Sequence, residues 1–400
     1  MRNDFEVVIL GNDINVYSVA RAFYEEYGII SNAFGQSIGG ANMNSKIVNY
    51  KKVMGIDKKD VFLPEVTAFC NEHKDKKVLI LGCGDNYIEV IAECRDEYPS
   101  NAIIHCPTLE QIKKLIRKED FYVLCDEYGI DYPSTKIITK DDGTDFSLNF
   151  GPPYIVKPSN SVMYWEYHFE GQNKVFTLKT REELDKTVKA IFNSGYKDKL
   201  IIQDFIPGDD TNMRVLTSYS DKNAKVKMMC LGHVLLEEHT PKGIGNHAVI
   251  ITEKNEELMQ KYKKFLEDLQ FVGFSNFDIK YDKRDNKFKA FEINVRQGRS
   301  NFYVTSSGEN IAKYLVEDRI MNIEKPCKFC DNEHLWLVIP KRLAFKFAPD
   351  YSDKLKDLIK NKKMTNPLWY KEDLGLVRFL RLVKLEINYF KKYKGYGGNE

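Results

Sequence analysis

Two carboxylates and an amide that share one short stretch are the residues of this chain best suited to chemistry. Asp278 interrupts an apolar alternation over residues 277–281, and Glu292 and Asn294 do the same over residues 291–295. Such alternation on both sides of a charged turn predicts a β-hairpin. If its arms pair, the three polar side chains converge, because every second residue of a strand faces the same side. An all-oxygen set of this kind suits Mg²⁺, which completes its octahedron with water and phosphate oxygens.

The same alternation is also typical of a hairpin with one solvated face, and the spacing alone does not separate that interpretation from a metal site. Two arginines just downstream, Arg296 and Arg299, favour the functional interpretation. Their guanidinium groups can bind phosphate or carboxylate in a bidentate manner. The stretch 275–299 is therefore a candidate for binding both a metal ion and an anion.

The first elements of the chain predict a small parallel sheet. Apolar strands that alternate with helical patterns are predicted at residues 6–11, 77–81 and 102–104. This order is typical of an α/β domain, so we predict a Rossmann-like N-terminal domain over residues 1–107. Its glycines form only part of a dinucleotide fingerprint. Ligands nevertheless bind at the carboxyl ends of such strands, and Asn12, Asp13 and Asn15 follow the first strand.

The middle of the chain predicts an α+β domain over residues 108–320. Two short helices meet near Lys118, and the first has a capping box that begins at Thr108. A short apolar strand then ends in Lys157, and a later strand over residues 200–206 breaks into a turn. Strands on one side of helices, rather than in strict alternation with them, are typical of such an α+β domain.

The last segment, residues 321–400, is predicted to be an extension that ends in a basic amphipathic helix. Leu376, Phe379, Leu380 and Val383 share one helical face, and lysines and arginines supply positive charge. We expect the apolar face to pack on the protein itself and the basic face to be solvated. A weak contact of this helix with a membrane surface is the alternative.

Composition excludes several classes of protein. The 400 residues are 43% hydrophobic and carry a formal charge of +2, which argues against disorder and against nucleic-acid binding. No apolar run approaches the length of a membrane span, and the first residues lack a signal-peptide core. We therefore expect a cytoplasmic protein with reduced thiols. Among the eight cysteines, only Cys327 and Cys330 have metal-ligand spacing, and a zinc site would need a second pair.

The order of the polar residues resembles the ATP-grasp superfamily over residues 1 to about 320. The residues that carry this resemblance are Lys118, Lys157, Gln203, Asp204, Phe205, Ile206, Asp210, Asp278, Glu292, Asn294 and Arg296. The resemblance implies an ATP-grasp fold with a preceding α/β domain, and it implies that Lys118 and Lys157 contact ATP phosphates. Residues 203–206 would hold adenine, and Asp210, where the family commonly has a glutamate, would hold ribose. The segment after Lys157 departs from the family because it lacks the glycines of the usual phosphate-covering loop.

The same resemblance implies roles for the hairpin residues. Asp278, Glu292 and Asn294 would bind two Mg²⁺ ions, for which Mn²⁺ would be a substitute. Arg296 together with Lys157 would act in catalysis. Phosphoryl transfer of this kind depends mostly on positioning and on neutralisation of charge.

Two further segments are similar to D-aspartate ligases of Gram-positive cell-wall synthesis. These segments are residues 12–28 and 239–246. The similarity implies that the side-chain carboxylate of D-aspartate is activated as an acyl phosphate. It is then joined to the lysine side-chain amine of a peptidoglycan precursor. Candidate residues for the substrate are Arg214, Lys242, Arg299 and Ser300. The alternatives are a ligase for another amino acid or peptide, an ATP-dependent kinase, and a nucleotide-binding module without turnover. The oligomeric state stays open.

Overall fold

The computed structural model describes residues 4–159, 161–240, 243 and 245–396. Within it the chain forms two compact units. Unit 1 contains residues 1–112, 210–277 and 294–400, and unit 2 contains residues 113–209 and 278–293. The division into domains at residues 107 and 320 remains a prediction.

The strands and helices follow one another along the chain in a mixed α/β order. The strands are β1 (Phe5–Leu10), β2 (Ser31–Gly35), β3 (Val48–Lys52), β4 (Lys77–Gly82), β5 (Ala102–Ile104), β6 (Thr135–Ile138), β7 (Tyr154–Pro158), β8 (Phe176–Leu178), β9 (Leu200–Asp204), β10 (Met213–Ser220), β11 (Val226–Glu237), β12 (His247–Glu253), β13 (Gly273–Asp282), β14 (Lys287–Asn294), β15 (Lys328–Phe329), β16 (Leu335–Leu337) and β17 (Met364–Thr365). The helices are α1 (Ile14–Tyr27), α2 (Lys59–Glu72), α3 (Asp85–Glu93), α4 (Leu109–Ile116), α5 (Lys118–Tyr128), α6 (Ser161–Tyr164), α7 (Arg181–Asn193), α8 (Glu256–Asp268), α9 (Phe302–Ser306), α10 (Ile311–Arg319), α11 (Lys341–Phe347), α12 (Ser352–Lys360) and α13 (Leu376–Tyr396).

The first sheet of unit 1 is parallel and has the order β3-β2-β1-β4-β5. The predicted parallel α/β arrangement is thus confirmed, and β2 and β3 extend it beyond the strands that the sequence indicated. Strand β3 is short and polar, with Lys51 and Lys52 exposed at the sheet edge, so it lacks the apolar run of a central strand. Helix α1 begins where the Asp13 carboxylate accepts from the amides of Asn15 and Val16, and it ends at Gly28, whose φ of 66° is left-handed.

The second sheet of unit 1 is largely antiparallel. Its strands have the order β13-β10-β11-β12-β16-β17, and β15 pairs with β11. Strand β13 starts in unit 1 and ends in unit 2, where β14 pairs with it as the second arm of the predicted hairpin. The largest buried side chains of unit 1 include Trp336, Tyr303 and Tyr219.

Unit 2 contains an antiparallel four-stranded sheet in the order β6-β9-β7-β8. Helix α7 covers its core with Leu184, Val188 and Ile191, which share one face of the helix. The Thr180 hydroxyl accepts from the amide of Glu183, so this helix begins with a side-chain cap.

Helix α13 contradicts one expectation from the sequence. Leu376, Phe379 and Leu380 were expected to face the protein, yet their side chains are 77%, 44% and 58% exposed. The buried side of the helix instead contains Arg378 and Tyr389, which are 2% and 4% exposed. The prediction of an inward apolar face is therefore wrong.

The reason is a set of polar contacts made by the other side of α13. Arg378 lies 2.9 Å from the Asp373 carboxylate and donates to the carbonyl of Ala41. The hydroxyl of Tyr393 donates to the backbone carbonyl of Glu237 at 3.0 Å. These contacts determine which side of the helix faces the protein. The hydrophobic periodicity of the sequence gives no information about them. No helix in the described part of the chain has the length and apolarity needed to cross a bilayer.

Candidate active site

Two lysines and a carboxylate form a charged cluster in unit 2. Lys118, the first residue of α5, pairs with Glu292 on β14. Lys157, near the end of β7, places its ammonium group 5.5 Å from the ring centre of Phe291. Burial and the positive charge of Lys118 lower the pKa of Lys157 to about 7. The same lysines lower the pKa of Glu292, with Lys118 as the largest cause, so this carboxylate stays ionised.

The predicted metal ligands lie on two adjacent strands. Asp278 is on β13 and Glu292 is on the neighbouring β14, and both are partly buried. Carboxylate oxygens are the hard ligands that Mg²⁺ prefers, so the donor chemistry of this pair fits the ion. In the described part of the chain no group of three or more His, Cys, Asp or Glu residues has metal-site geometry. A site of two carboxylates and an amide does not require such a group.

The end of β9 is organised by its own side chains. The Gln203 amide is buried and donates to the Tyr122 hydroxyl at 2.9 Å and to the Thr135 hydroxyl at 2.8 Å. The Asp204 carboxylate accepts from Arg284 at 3.2 Å. The residues predicted to contact adenine through their backbone thus lie at a strand end whose side chains are hydrogen-bonded to neighbouring elements.

Two further predicted residues lie at this strand end. Ile206 is 3% exposed. The ammonium group of Lys280 lies 5.6 Å from the ring centre of Phe205. Phe205 and Ile206 follow directly after the hydrogen-bonded end of β9.

Asp210, the predicted ribose ligand, belongs to unit 1 and opens the turn that precedes β10. Its carboxylate accepts from the amide of Glu237 at 2.8 Å and contacts Nε2 of His239 at 2.7 Å. The hydrogen bond to Asp210 raises the pKa of His239. Asp210 is thus held in one orientation by a neighbouring strand.

Arg296 and Asn294 are brought together in unit 1. The guanidinium of Arg296 donates to the side-chain oxygen of Asn294 at 3.1 Å and to the Asp85 carboxylate at 2.8 Å. Asn294 in turn donates to the backbone carbonyl of Asn276 at 3.5 Å. Asp85 was not predicted as a site residue. Its position as the first residue of α3, directly after β4, is the sequence signal that could have indicated it.

A buried amide network supports the segment that carries the arginines. Asn301 donates to the side-chain oxygen of Asn15 at 2.7 Å, and Asn15 donates to the backbone carbonyl of Gln297 at 3.2 Å. Gln297 donates to the carbonyl of Gly82 at 3.3 Å. The sequence indicated Asn15 as a residue at a strand end, but Asn301 and Gln297 were missed. No local pattern marks them, since their partners are more than two hundred residues away.

Arg299 and Asp13 line the same cavity in unit 1. It has a volume of about 510 Å³, and Arg381 and Tyr389 of α13 also line it. Burial raises the pKa of Asp13, and the positive charge of Arg299 opposes that change. Arg299 also lies 3.9 Å from the carboxylate of Glu238. A pocket with both a guanidinium and a carboxylate can bind a zwitterion.

The other predicted substrate residues have different surroundings. The Ser300 hydroxyl is buried 3.4 Å from Nδ1 of His247, whose pKa burial lowers to about 4. Arg214 pairs with Glu253 and donates to two backbone carbonyls, at 3.0 and 2.9 Å. Its contacts stabilise the start of β10, and its substrate role remains a prediction. Lys242 lies outside the described residues.

The cysteines provide no sign of a metal or redox site. All eight are unbridged, and Cys327 is exposed whereas Cys330 is buried.

Comparison with known proteins identifies the family of the chain. A D-aspartate ligase from Enterococcus faecium (strain Aus0004) is 40% identical over 411 residues, covering 98% of this chain and 97% of that protein. The crystal structure of N5-carboxyaminoimidazole synthetase from Staphylococcus aureus matches with a TM-score of 0.59 and 11% identity, covering 88% of this chain and 86% of that one. That of the L-amino acid ligase from Bacillus licheniformis matches with a TM-score of 0.51 and 14% identity, covering 79% and 71%. No protein-family model matches the chain.

The fold is therefore that of the ATP-grasp class, as the sequence predicted. More narrowly, the chain belongs to the D-aspartate ligase family of ATP-dependent ligases. The resemblance stated from residues 12–28 and 239–246 is confirmed at this level.

Proposed function

We propose that this chain joins D-aspartate to the lysine side chain of a peptidoglycan precursor in the cytoplasm, at the expense of ATP. The observation that carries the proposal is its similarity, over almost the whole length of both chains, to the D-aspartate ligase of Enterococcus faecium. The charged cluster of unit 2 supports the ATP-dependent part, because two lysines beside an ionised glutamate suit a metal-bound triphosphate.

In this proposal the nucleotide is held by groups of several kinds. Lys118 and Lys157 bind phosphate oxygens as point charges. The backbone of residues 203–206 contacts adenine, and the carboxylate of Asp210 contacts the ribose hydroxyls. Asp278, Glu292 and Asn294 bind two Mg²⁺ ions, which when bound neutralise the charge of the transferring phosphoryl group. Mn²⁺ is expected to substitute for Mg²⁺, since it also prefers oxygen ligands.

The acid is proposed to bind in the cavity that Arg299 and Asp13 line. D-Aspartate carries two carboxylates and one ammonium group, so it needs cations and an anion at separate points of one pocket. Arg299 supplies a guanidinium and Asp13 supplies a carboxylate that accepts the ammonium. Ser300 is proposed as a hydrogen-bond donor to a carboxylate, and Arg214 and Lys242 are proposed to bind the second one.

The chemistry proposed is a two-step ligation. An oxygen of the side-chain carboxylate attacks the γ-phosphorus, the bond to the β-phosphate oxygen breaks, and ADP leaves. The lysine amine then attacks the acyl carbon, loses a proton, and displaces inorganic phosphate to leave an amide. Arg296 stabilises the negative charge that both steps develop. Asp85 and Asn294 orient its guanidinium through the contacts of 2.8 and 3.1 Å.

The decisive experiment measures phosphate release and product mass with purified protein. We expect release with ATP, Mg²⁺, D-aspartate and a lysine-bearing precursor peptide together, and a product heavier than the peptide by one aspartyl residue. L-Aspartate, D-alanine and a peptide with norleucine in place of lysine are the matched controls. Phosphate release without any dependence on the amine would contradict ligation, and a phosphorylated product would indicate a kinase.

A further inference from the structure

The exposed side of helix α13 has an apolar stripe. In the described part of the chain, thirteen large hydrophobic side chains are exposed, and six of them belong to this one helix. Those six are Leu376, Val377, Phe379, Leu380, Ile387 and Phe390. Leu376, Leu380 and Ile387 are separated by four and seven residues, so they lie along one line of an α-helix. The stripe thus extends over about three turns.

The stripe faces outward because the opposite side of α13 is anchored. Arg378 is 2% exposed, lies 2.9 Å from the Asp373 carboxylate, and stacks 4.2 Å from the ring centre of Tyr17. The indole nitrogen of Trp369 donates to Glu386 on the helix at 2.9 Å. Rotating the helix to hide its leucines would break these contacts and would expose the side chains that make them. The outward direction of the stripe is therefore a property of the folded unit.

The charges of α13 are strongly one-sided. The helix contains six lysines and arginines but a single acidic residue, Glu386, which accepts from Trp369. Five of the six cations are exposed, and they are Arg381, Lys384, Lys391, Lys392 and Lys394. Lys391 and Lys394 continue the line of the stripe, four and seven residues after Ile387. An apolar line bordered by cations is typical of helices that lie in the headgroup region of a bilayer.

We propose that the outer face of α13 docks on an anionic lipid bilayer. Its apolar side chains would enter the boundary of the acyl chains while its lysines contact lipid phosphates. A second copy of the chain fits the face less well, because paired helices would bring together Lys391 and Lys394 of both copies, and the described part of α13 has no exposed acidic residue to pair with them. A neutral protein partner would cover the leucines but would leave the bordering lysines without complementary charge. An anionic bilayer matches both the apolar stripe and the cations, and docking would hold the ligase at a surface without a spanning helix.

Vesicle flotation with the full chain tests this proposal. We expect the protein to float with vesicles of phosphatidylglycerol and phosphatidylcholine, to float much less with phosphatidylcholine alone, and to lose binding as salt is raised. The double variant L380D/I387D should lose at least tenfold in partition, because charge cannot enter the acyl boundary. The double variant K391E/K394E should lose binding mainly at low salt.

Matched variants separate docking from damage to the fold. V123D replaces an exposed valine of α5, and K360E reverses an exposed lysine of α12. Both should float as the unmodified protein does. All variants should keep the thermal midpoint of the parent, and L380D/I387D should keep its phosphate-release rate in solution, since neither residue lines the cavity of Arg299.

Three results would overturn the proposal. The first is an unmodified chain that floats with neither kind of vesicle. The second is flotation that L380D/I387D leaves unchanged. The third is self-association, measured by light scattering without lipid, that the same variant abolishes, since this would identify a second copy as the occupant. A failure of the ligation assay alone would leave the flotation results unaffected, so the two proposals fail independently.

Discussion

At the scale of single residues, Glu292 is the point on which the charged cluster of unit 2 depends. It pairs with Lys118, and its charge partly offsets the mutual repulsion of Lys118 and Lys157. The cluster therefore needs favourable charge pairing both without and with a bound nucleotide. In the structure the glutamate neutralises a lysine. In the proposed reaction the lysines would contact phosphate and the glutamate would bind the metal ion.

Replacement of Glu292 by glutamine should remove the negative charge that is proposed to bind the metal ion. It should also leave Lys118 and Lys157 without this neutralising carboxylate. We expect phosphate release to fall by roughly 100-fold or more, where each tenfold step is about 1.4 kcal/mol of barrier. Affinity for ATP in EDTA should be kept or increased, because the carboxylate that repels phosphate is gone. E127Q, at an exposed position of α5, is the control. Turnover near that of the parent would show that Glu292 is not a metal ligand.

The lowered pKa of Lys157 predicts a proton linkage. With a pKa of about 7, this lysine is largely neutral at pH 8 before ATP binds. Bound phosphates favour the charged form, so ATP binding at pH 8 should take up protons, and affinity should weaken as the pH rises through 7. Calorimetry in buffers with different ionisation enthalpies measures the uptake. In K157R the guanidinium is charged throughout, so the uptake should disappear, and equal uptake in both proteins would contradict the assignment.

At the scale of secondary-structure elements, the anchoring of α13 is an instance of buried polar contacts prevailing over hydrophobic periodicity. Asp373 is fully buried and accepts from the hydroxyls of Tyr17 at 2.8 Å and of Ser45 at 3.0 Å, besides its contact with Arg378. This one carboxylate connects α1, the loop before β3 and α13. It explains why a helix with leucines on one side buries an arginine on the other.

Removal of the Asp373 carboxylate should therefore be costly. D373A leaves Arg378 as a buried charge without its partner, and we expect a loss of about 3–5 kcal/mol in the free energy of unfolding of unit 1. The double variant D373L/R378M removes both charges and should recover part of that loss. E372A, at the exposed neighbouring residue, is the control. Urea unfolding followed by tryptophan fluorescence measures the difference, and a loss below about 1 kcal/mol would show that the pair is not important for stability.

At the scale of the whole molecule, the C-terminal residues are part of unit 1 rather than an appendage to it. Strand β16 pairs with β12, and its Trp336 is fully buried in the same core as Tyr303. The chain therefore returns to complete a sheet that was begun more than one hundred residues earlier.

Deletion of residues 321–400 should consequently prevent unit 1 from folding. It would leave β12 as an uncovered edge and would remove the indole that fills the core, so we expect insoluble protein or a loss of cooperative unfolding. Co-expression of residues 321–400 as a separate chain should restore part of the soluble protein. A truncated chain that stays soluble and unfolds cooperatively would show instead that the segment is an independent extension.

Local patterns in the sequence determined much of this protein. The hairpin at Asp278 and Glu292, the strand that ends in Lys157 and the cap at Thr180 all follow from alternation, spacing and side-chain chemistry over a few residues. The order of these elements was sufficient to predict the ATP-grasp class, which comparison confirms. The roles of the individual site residues remain predictions.

The tertiary structure alone decided which distant groups meet. Asp85 contacts Arg296 across 211 residues of sequence, and Asn301 contacts Asn15 across 286. No periodicity encodes such pairs, because they depend on how whole sheets pack. The outward face of α13 was decided in the same way, by a buried carboxylate at Asp373. The sequence thus determined the hairpin that carries the predicted metal ligands, and the packing of unit 1 decided what supports the arginines after it and which side of the last helix meets solvent.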